Sequence, residues 1–216
     1  MTQLDRTQQR ILGVLMEKEL AVPESYPLTE NALLAGCNQK SNRDPEMGLE
    51  PFEVHGALVA LMADDWAKTV SSVGNRTARY AHRFESRYPV DQKEKAVLCE
   101  LLVRGPQAPG ALKPRVARLG FSSTPSEIEE VLASLASRAV PMVERLEKRP
   151  RERDRRWRHC LGEMDESHQG ESVAAAPRDP APEPAPQRLA GGDLEQRVAQ
   201  LEAVVEELRA ELRGLK

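Results

Sequence analysis

The sequence is poor in the features that define several functional classes. It has only two tryptophans, three tyrosines and three phenylalanines in 216 residues, so an extended base-stacking surface for single-stranded nucleic acid is not expected. Its longest apolar run, residues 57–63, is far shorter than the roughly 20 residues that span a bilayer. The first residues contain no apolar signal core, which predicts a cytoplasmic chain without membrane partners.

Cysteines and catalytic motifs are also scarce. The three cysteines, Cys37, Cys99 and Cys160, lie far apart and indicate reduced thiols rather than disulfides or a metal site. The sequence has no Gly-rich phosphate loop, no His-Glu-x-x-His and no Gly-x-Ser-x-Gly motif. Cys37 lies near basic residues, but a small buried thiol is the expected role. We therefore expect no enzymatic activity, no cofactor and no metal.

Charge is balanced overall but unevenly distributed. The 31 basic and 34 acidic residues give a net charge of −3, which excludes a uniformly basic polymer binder. Residues 1–88 carry a net −2, residues 89–162 a net +5 and residues 163–216 a net −6. Only the middle third would attract a polyanion, and the acidic tail could compete for the same surface.

The tail contains two different patterns. Residues 163–190 are rich in Pro, Ala and Glu, which predicts a disordered linker. Residues 191–216 contain a heptad seam of Leu194, Val198, Leu201, Val205, Leu208, Leu212 and Leu215. Valine at two a positions with leucine at d favours a parallel homodimeric coiled coil. A single amphipathic helix docked on its own protein is the alternative.

One order of elements is predicted twice in the first 162 residues. In residues 1–88, Asp5 and Gln8 form a capping-box pattern before the first helix. Thr29 precedes a second helix that Gly36 is placed to end, and Pro51 begins a third. Two strands, residues 66–71 and 76–84, then form a hairpin.

Residues 89–162 follow the same order. Asp91 begins the first helix, residues 109–119 form a short second helix, and Thr124 begins the third. Strands at 142–146 and 155–161 complete the copy, and the second repeats an Arg-aromatic-x-His pattern from the first copy. The prediction is a mainly α chain with small β-hairpins: two tandem winged-helix (helix-turn-helix) domains plus a C-terminal coiled-coil helix.

Several motifs resemble the YceH family of uncharacterised bacterial proteins. They are the run Tyr26-Pro27-Leu28 with Asn31, the run 37–45 (Cys-Asn-Gln-Lys-Ser-Asn-Arg-Asp-Pro), Gly74-Asn75-Arg76, Arg104-Gly105-x-Gln107-x-Pro109-Gly110, Arg115 and the closing heptads. The resemblance implies tandem winged-helix domains and no established activity. The chain departs from the family pattern at Pro114, which is expected to shorten or kink its helix.

Two basic segments are candidate phosphate contacts. The candidate nucleic-acid-binding residues are Lys40, Asn42 and Arg43 in a polar loop, Arg76 and Arg79 in the first hairpin, and Arg149, Arg151, Arg153, Arg155 and Arg156 in the second hairpin. A loop bonded to its own backbone and a merely solvated hairpin are the alternatives. His82 and His159 occupy matching places, for which we expect a shared structural role.

Two functions from different classes follow from these patterns. The first is a nucleic-acid-binding protein, such as a transcriptional regulator, that contacts double-stranded DNA and dimerises through the tail. The second is a protein-interaction adaptor without DNA binding. Glu46, Glu50 and Glu53 around the first domain's third helix would repel phosphate, and they favour the adaptor.

Overall fold

The computed structural model describes residues 3–70 and 77–162, which lie within one compact unit, Met1–Glu166. The predicted linker and heptad seam, and the turn at Gly74 and Asn75, lie outside the described residues. The helices are α1 (Arg6–Ala21), α2 (Glu30–Cys37), α3 (Pro51–Ala63), α4 (Phe84–Arg87), α5 (Gln92–Arg104), α6 (Pro109–Ala117) and α7 (Pro125–Ala136), with a 3-10 turn at Pro23–Ser25. The strands are β1 (Leu28–Thr29), β2 (Ala67–Val70), β3 (Arg79–His82), β4 (Val143–Arg145) and β5 (Trp157–His159).

The helix starts follow the capping chemistry of the sequence. The side chains of Asp5, Asp91 and Thr124 each accept a hydrogen bond from the backbone N–H three residues further on. The side chain of that third residue in turn accepts the backbone N–H of the cap residue. These three capping boxes are confirmed, and they satisfy amide groups that have no partner in the first helical turn. Gly105, in the left-handed region at φ 69°, ends α5 as predicted.

Two local predictions differ from the structure. Gly36 does not end α2 but lies inside it, where a Cβ atom would lie 2.7 Å from Val14 Cγ1, so the glycine lets α2 approach α1 closely. Phe84 begins α4 rather than ending a strand. Pro114 lies within α6, which ends three residues later at Ala117, before the predicted end at residue 119.

The two halves of the described chain, residues 3–88 and 89–162, repeat one arrangement. In each, three helices precede an antiparallel strand pair, β2 with β3 and β4 with β5. The first sheet has the order β1-β3-β2, with Leu28 opposite Tyr80. In the second half Gln107 bridges Trp157 in the corresponding way. The described chain is therefore mixed helical with small antiparallel sheets.

A continuous apolar core joins the halves across α1 and α5. A Cβ atom on Gly13 would lie 2.7 Å from Val103 Cγ1, so the two helices meet at backbone distance. The Cys99 thiol donates to the Gly13 carbonyl at 3.4 Å. The Leu4 amide donates to the Leu161 carbonyl at 3.1 Å, which ties the chain start to the second half. The boundary at residue 88 stays a prediction.

Within residues 3–70 and 77–162, we find no helix both long and apolar enough to cross a membrane.

Candidate functional site

A groove lies between the second hairpin and the starts of two helices. Its volume is about 760 Å³. Pro109 and Gly110 line it from the first turn of α6, and Pro125 and Ser126 line it from the first turn of α7. The remaining lining residues are Glu129, Arg145, Lys148, Arg153, Asp154 and Arg155. The four basic and two acidic side chains among them make the groove cationic.

One wall of this groove is held in place by Glu129 of α7. Its carboxylate forms an ion pair with Arg145 and accepts the Trp157 indole N–H at 3.0 Å. The Arg145 guanidinium also stacks 5.0 Å from the centre of the Trp157 ring. These contacts fix the base of the hairpin against α7, so the loop between β4 and β5 projects from a defined position.

The cations of that hairpin fall into two groups. Arg156 pairs with Glu152 at 3.0 Å, Arg158 pairs with Glu144, and the Arg149 amide donates to Glu152 at 3.3 Å. The second group consists of four exposed cations that form no ion pair within the described residues: Lys148, Arg151, Arg153 and Arg155. Arg151 sits at φ 73°, in the left-handed turn of the hairpin. These four form the candidate anion-binding surface, which we call the hairpin cations.

The polar loop of the first half is occupied by its own contacts. Asn38 closes it by donating to the Leu49 carbonyl and accepting from the Leu49 amide, both at 2.8 Å. Asn42 adopts φ 61°, and its Oδ1 accepts from Arg104 and from Arg118. Lys40 is exposed. Asn38 therefore bonds to the loop's own backbone, as in the self-bonded alternative, whereas Asn42 bonds to the second half and Lys40 stays a candidate phosphate contact.

Arg43 is a buried structural residue. Its guanidinium pairs with Glu17 at 2.5 Å and donates to the carbonyls of Gly36 at 2.9 Å and Asn42 at 2.7 Å. Only 6% of the residue is exposed. A guanidinium that is already bonded and buried cannot reach a phosphate backbone, so Arg43 leaves the candidate set.

The first hairpin offers little cationic surface in the described residues. Arg79 is half-buried and donates to the Pro27 carbonyl at 2.8 Å, and Arg76 lies outside the described residues. Arg83 pairs with Asp65 at 2.7 Å. The structure therefore brings Lys148, Arg151, Arg153 and Arg155 together but does not add Arg43 or Arg79 to them.

Neither third helix carries a lysine or an arginine. The α3 sequence is PFEVHGALVALMA and the α7 sequence is PSEIEEVLASLA. Phe52 is 75% exposed and Val59 is 46% exposed on α3, so part of its outer face is apolar, beside the exposed His55. Glu53 closes a capping box with Glu50 at the start of this helix. A face of this kind suits a protein surface better than phosphate groups.

A second basic cluster was missed by the sequence reasoning. Arg104 ends α5, while Arg115 and Arg118 lie at the end of α6, and Arg104 and Arg118 share the Asn42 oxygen. Arg115 donates to Gln107, whose amide donates to the Glu100 carbonyl at 2.9 Å. Four of these residues, Asn42, Arg104, Gln107 and Arg115, belong to the family-like motifs. That membership was the only sequence signal, since no local pattern shows that the segments meet.

One group of side chains has the geometry of metal ligands. Glu19, His82 and Glu85 bring their ligand atoms within 4.8 Å of one another. The Lys95 ammonium lies 2.6 Å from both carboxylates, so a cation of the protein already pairs with each of them. Hydrogen bonds from His82 and Lys95 lower the pKa of Glu19 to about 2, against the effect of partial burial. The group acts as an ion-pair network that ties α1 to α5.

The cysteines show no sign of activation. Cys37 and Cys99 are fully buried. Burial raises the pKa of Cys37 to about 12 and of Cys99 well above its usual value, although Arg10 and Arg43 oppose the shift at Cys37. The expectation of a small buried thiol at Cys37 is confirmed.

Comparison with known proteins places the chain in a family. A family model described as "Protein of unknown function, DUF480" matches residues 4–152. A "UPF0502 protein" of Geobacter metallireducens is 44% identical over 173 residues, covering 80% of this chain and 78% of the relative. A "UPF0502 protein" of Shewanella pealeana is 39% identical over 213 residues, covering 95% of each. "UPF0502 protein YceH" of Salmonella paratyphi B is 39% identical over 219 residues, covering 99% and 96%.

These matches define an uncharacterised class of bacterial proteins. The chain belongs to the DUF480 family of UPF0502 proteins, to which YceH belongs. The family resemblance seen in the sequence motifs is confirmed.

Proposed function

We propose that this chain is a cytoplasmic, non-enzymatic DNA-binding protein that holds the phosphate backbone with the hairpin of its second half. The observation that carries the proposal is the set of hairpin cations, four exposed side chains with no ion-pair partner among the described residues, three of which (Lys148, Arg153 and Arg155) line the groove. Cations of this kind release counterions when they contact phosphates, which drives binding to DNA. The DNA would be the protein's partner, and no cofactor is needed.

The repeated architecture supports two winged-helix domains. Each half has three helices and a strand pair. In each half, a residue that precedes the second helix pairs with an aromatic residue of the last strand, Leu28 with Tyr80 and Gln107 with Trp157. In winged-helix proteins the third helix and the hairpin loop face the nucleic acid. The cationic loop between β4 and β5 corresponds to that hairpin loop.

The charge distribution favours binding without sequence recognition. Base recognition in the major groove is commonly made by Arg, Lys, Asn or Gln side chains. Neither α3 nor α7 contains any of these four residue types. Phosphate contacts position a protein on DNA but read no sequence. We therefore expect similar affinity for duplexes of different sequence.

The test is the salt dependence of duplex binding. Reversing Arg153 and Arg155 to glutamate should lower affinity and reduce the slope of log K against log salt by about 1.8 if both contact phosphates. The matched control reverses Lys93 and Lys113, which are also exposed but lie outside both hairpins, to glutamate and should change both quantities much less. Equal effects of the two double variants, or no duplex binding by the parent, would refute the proposal.

A protein-interaction adaptor is the second candidate, and the exposed apolar side chains Phe52 and Val59 of α3 favour it. Phe52→Ser with Val59→Ser should abolish capture of a stoichiometric protein partner that survives high salt. Val140→Ser, at a residue that is 47% exposed elsewhere, is the control. Duplex binding by the parent with no salt-resistant protein capture would exclude the adaptor.

The homodimer predicted from the heptads belongs to the proposal as well. Analytical ultracentrifugation of the full chain should give a dimer, and Leu201→Asp with Leu208→Asp should give a monomer because charged d positions disrupt the seam. A monomeric parent at high concentration would remove dimerisation from the proposal.

A further inference from the structure

The strongest unassigned feature is the arginine cluster, Arg104, Arg115 and Arg118, where the ends of α5 and α6 meet. Arg104 Nη2 and Arg118 Nη1 both donate to one oxygen atom, Oδ1 of Asn42, the second at 3.3 Å. Two guanidinium groups that share one acceptor must lie close together. Asn42 reaches this position from a left-handed backbone conformation at φ 61°.

The acceptors in this cluster are mostly neutral. Arg104 forms an ion pair with Glu100 at 3.1 Å, but Arg115 donates to the Gln107 amide oxygen and Arg118 to that of Asn42. Glu100 is only 4% exposed. A guanidinium bonded to a neutral oxygen keeps its positive charge uncompensated, whereas a carboxylate partner offsets that charge. The cluster therefore has more positive charge than its contacts neutralise.

The electrostatics of the side chains agree with that geometry. Burial lowers the pKa of Arg104 and of Arg115, and the neighbouring guanidinium groups add to both shifts. Glu100 opposes both shifts, and Asp44 also opposes the shift at Arg115. The lowered pKa means that each charged arginine is held at a cost in its present surroundings. A bound anion would offset that cost because it supplies opposite charge and additional hydrogen-bond acceptors.

We propose that Arg104, Arg115 and Arg118 form a binding site for a phosphate group, whose oxygen replaces Oδ1 of Asn42 as the shared acceptor. The planar forks of three arginines match the several oxygens of a phosphate. The site is separate from the groove, because Arg115 and Arg118 lie at the end of α6 and Pro109 and Gly110 at its start. It does not depend on DNA binding by the hairpin.

Thermal unfolding of the full chain in inorganic phosphate tests the site. At saturating phosphate the midpoint should rise by about 2–4 °C above that in sodium chloride of equal ionic strength. Arg118→Gln should abolish this difference because it removes one of the three guanidinium groups. Arg118 is exposed, so the substitution leaves the core intact. Lys113→Gln, an exposed residue on the same helix, should keep it.

Two results would overturn the proposal. The first is a phosphate effect no larger than that of chloride, and the second is an effect that Arg118→Gln leaves intact. If Arg118→Gln unfolds, Asn42→Gly provides the second variant: it tolerates φ 61° and removes the neutral acceptor, so phosphate should bind more tightly. Unchanged or weaker phosphate binding by Asn42→Gly also contradicts the site.

Binding of duplex DNA by the Arg118→Gln variant distinguishes a DNA phosphate from a small phosphate compound as the ligand of this site. If the site takes a DNA phosphate, Arg118→Gln should also reduce the salt slope of duplex binding by about 0.9. If it takes a small phosphate compound, Arg118→Gln should lose the thermal effect and leave duplex binding unchanged. Failure of the phosphate test leaves the Arg153 and Arg155 test of the hairpin unaffected.

Discussion

His82 and His159 make the same hydrogen bond in the two halves of the chain. Nδ1 of His82 accepts the Phe84 amide at 3.3 Å, and Nδ1 of His159 accepts the Leu161 amide at 3.3 Å. Both histidines are buried at the end of the last strand of their half. The shared structural role expected for this pair is therefore present in the structure. Each imidazole caps the point where the strand ends and the chain turns away.

Stability should depend on pH through His159. Burial, with a smaller effect of Arg158, lowers the pKa of His159 from 6.5 to about 4. The unfolded chain therefore binds a proton that the folded chain does not, so stability is complete above pH 6.5 and falls as the pH drops towards 4. The loss from this residue should approach about 3 kcal/mol.

Urea unfolding at pH 7.0, 5.5 and 4.5 measures this effect. The His159→Asn variant retains an acceptor for the Leu161 amide but no titrating ring, so its free energy of unfolding should fall less over the same range. An identical pH dependence in parent and variant would show that other groups cause the loss.

Gly13 should be intolerant of a side chain. A Cβ atom there would lie 2.7 Å from Val103 Cγ1 and 3.0 Å from Leu102 Cβ. Gly13→Ala should therefore cost about 1–3 kcal/mol because α1 and α5 must separate.

Gly56 provides the matched control inside another helix. No atom lies within 4 Å of the position of its Cβ. Gly56→Ala should stabilise the protein by about 0.5–1 kcal/mol, since alanine has the higher helix propensity. Equal effects of the two substitutions in urea unfolding would contradict close packing at the α1–α5 contact.

Arg43 should matter for stability and not for DNA. Arg43→Met leaves Glu17, in a largely buried site, with only its 3.8 Å contact to Lys18, and the loss should be at or below the lower end of the roughly 3–5 kcal/mol that breaking a buried pair costs. Lys40→Met changes an exposed residue of the same loop and should stay within about 0.5 kcal/mol of the parent.

Chemical denaturation and duplex binding together separate these roles. Arg43→Met at a temperature where it remains folded should bind DNA like the parent. A stable Arg43→Met variant with weakened duplex binding would return Arg43 to the phosphate contacts.

The thiols should react in a fixed order. Burial raises the pKa of all three thiols, but Cys37 and Cys99 are fully buried whereas Cys160 is partly exposed. A thiol reagent at pH 8 should label Cys160 first. Labelling of Cys37 and Cys99 should require denaturant, because burial keeps the reagent out and disfavours the thiolate, which is the reacting form. Removing Cys160 by substitution with serine should abolish the fast phase. A fast phase that persists would show that a buried thiol becomes accessible in the native protein.

The sequence by itself determined the local architecture. Capping boxes at Asp5, Asp91 and Thr124 involve residues three positions apart, and apolar spacing reveals which face of each helix is buried. The order of helices and hairpins was readable for the same reason. The cationic hairpin was also visible, because its charges are adjacent in sequence.

Only the tertiary structure decided how the other charged residues are used. Arg43 lies buried beside Glu17, which belongs to a different helix. Gly36 lies where α2 packs closely against α1, so it serves the contact between the two helices and does not end α2. Arg104, Arg115 and Arg118 converge with Asn42 only when α5 and α6 pack beside the polar loop. Such contacts depend on the distance between segments far apart in the chain, which local residue patterns do not encode.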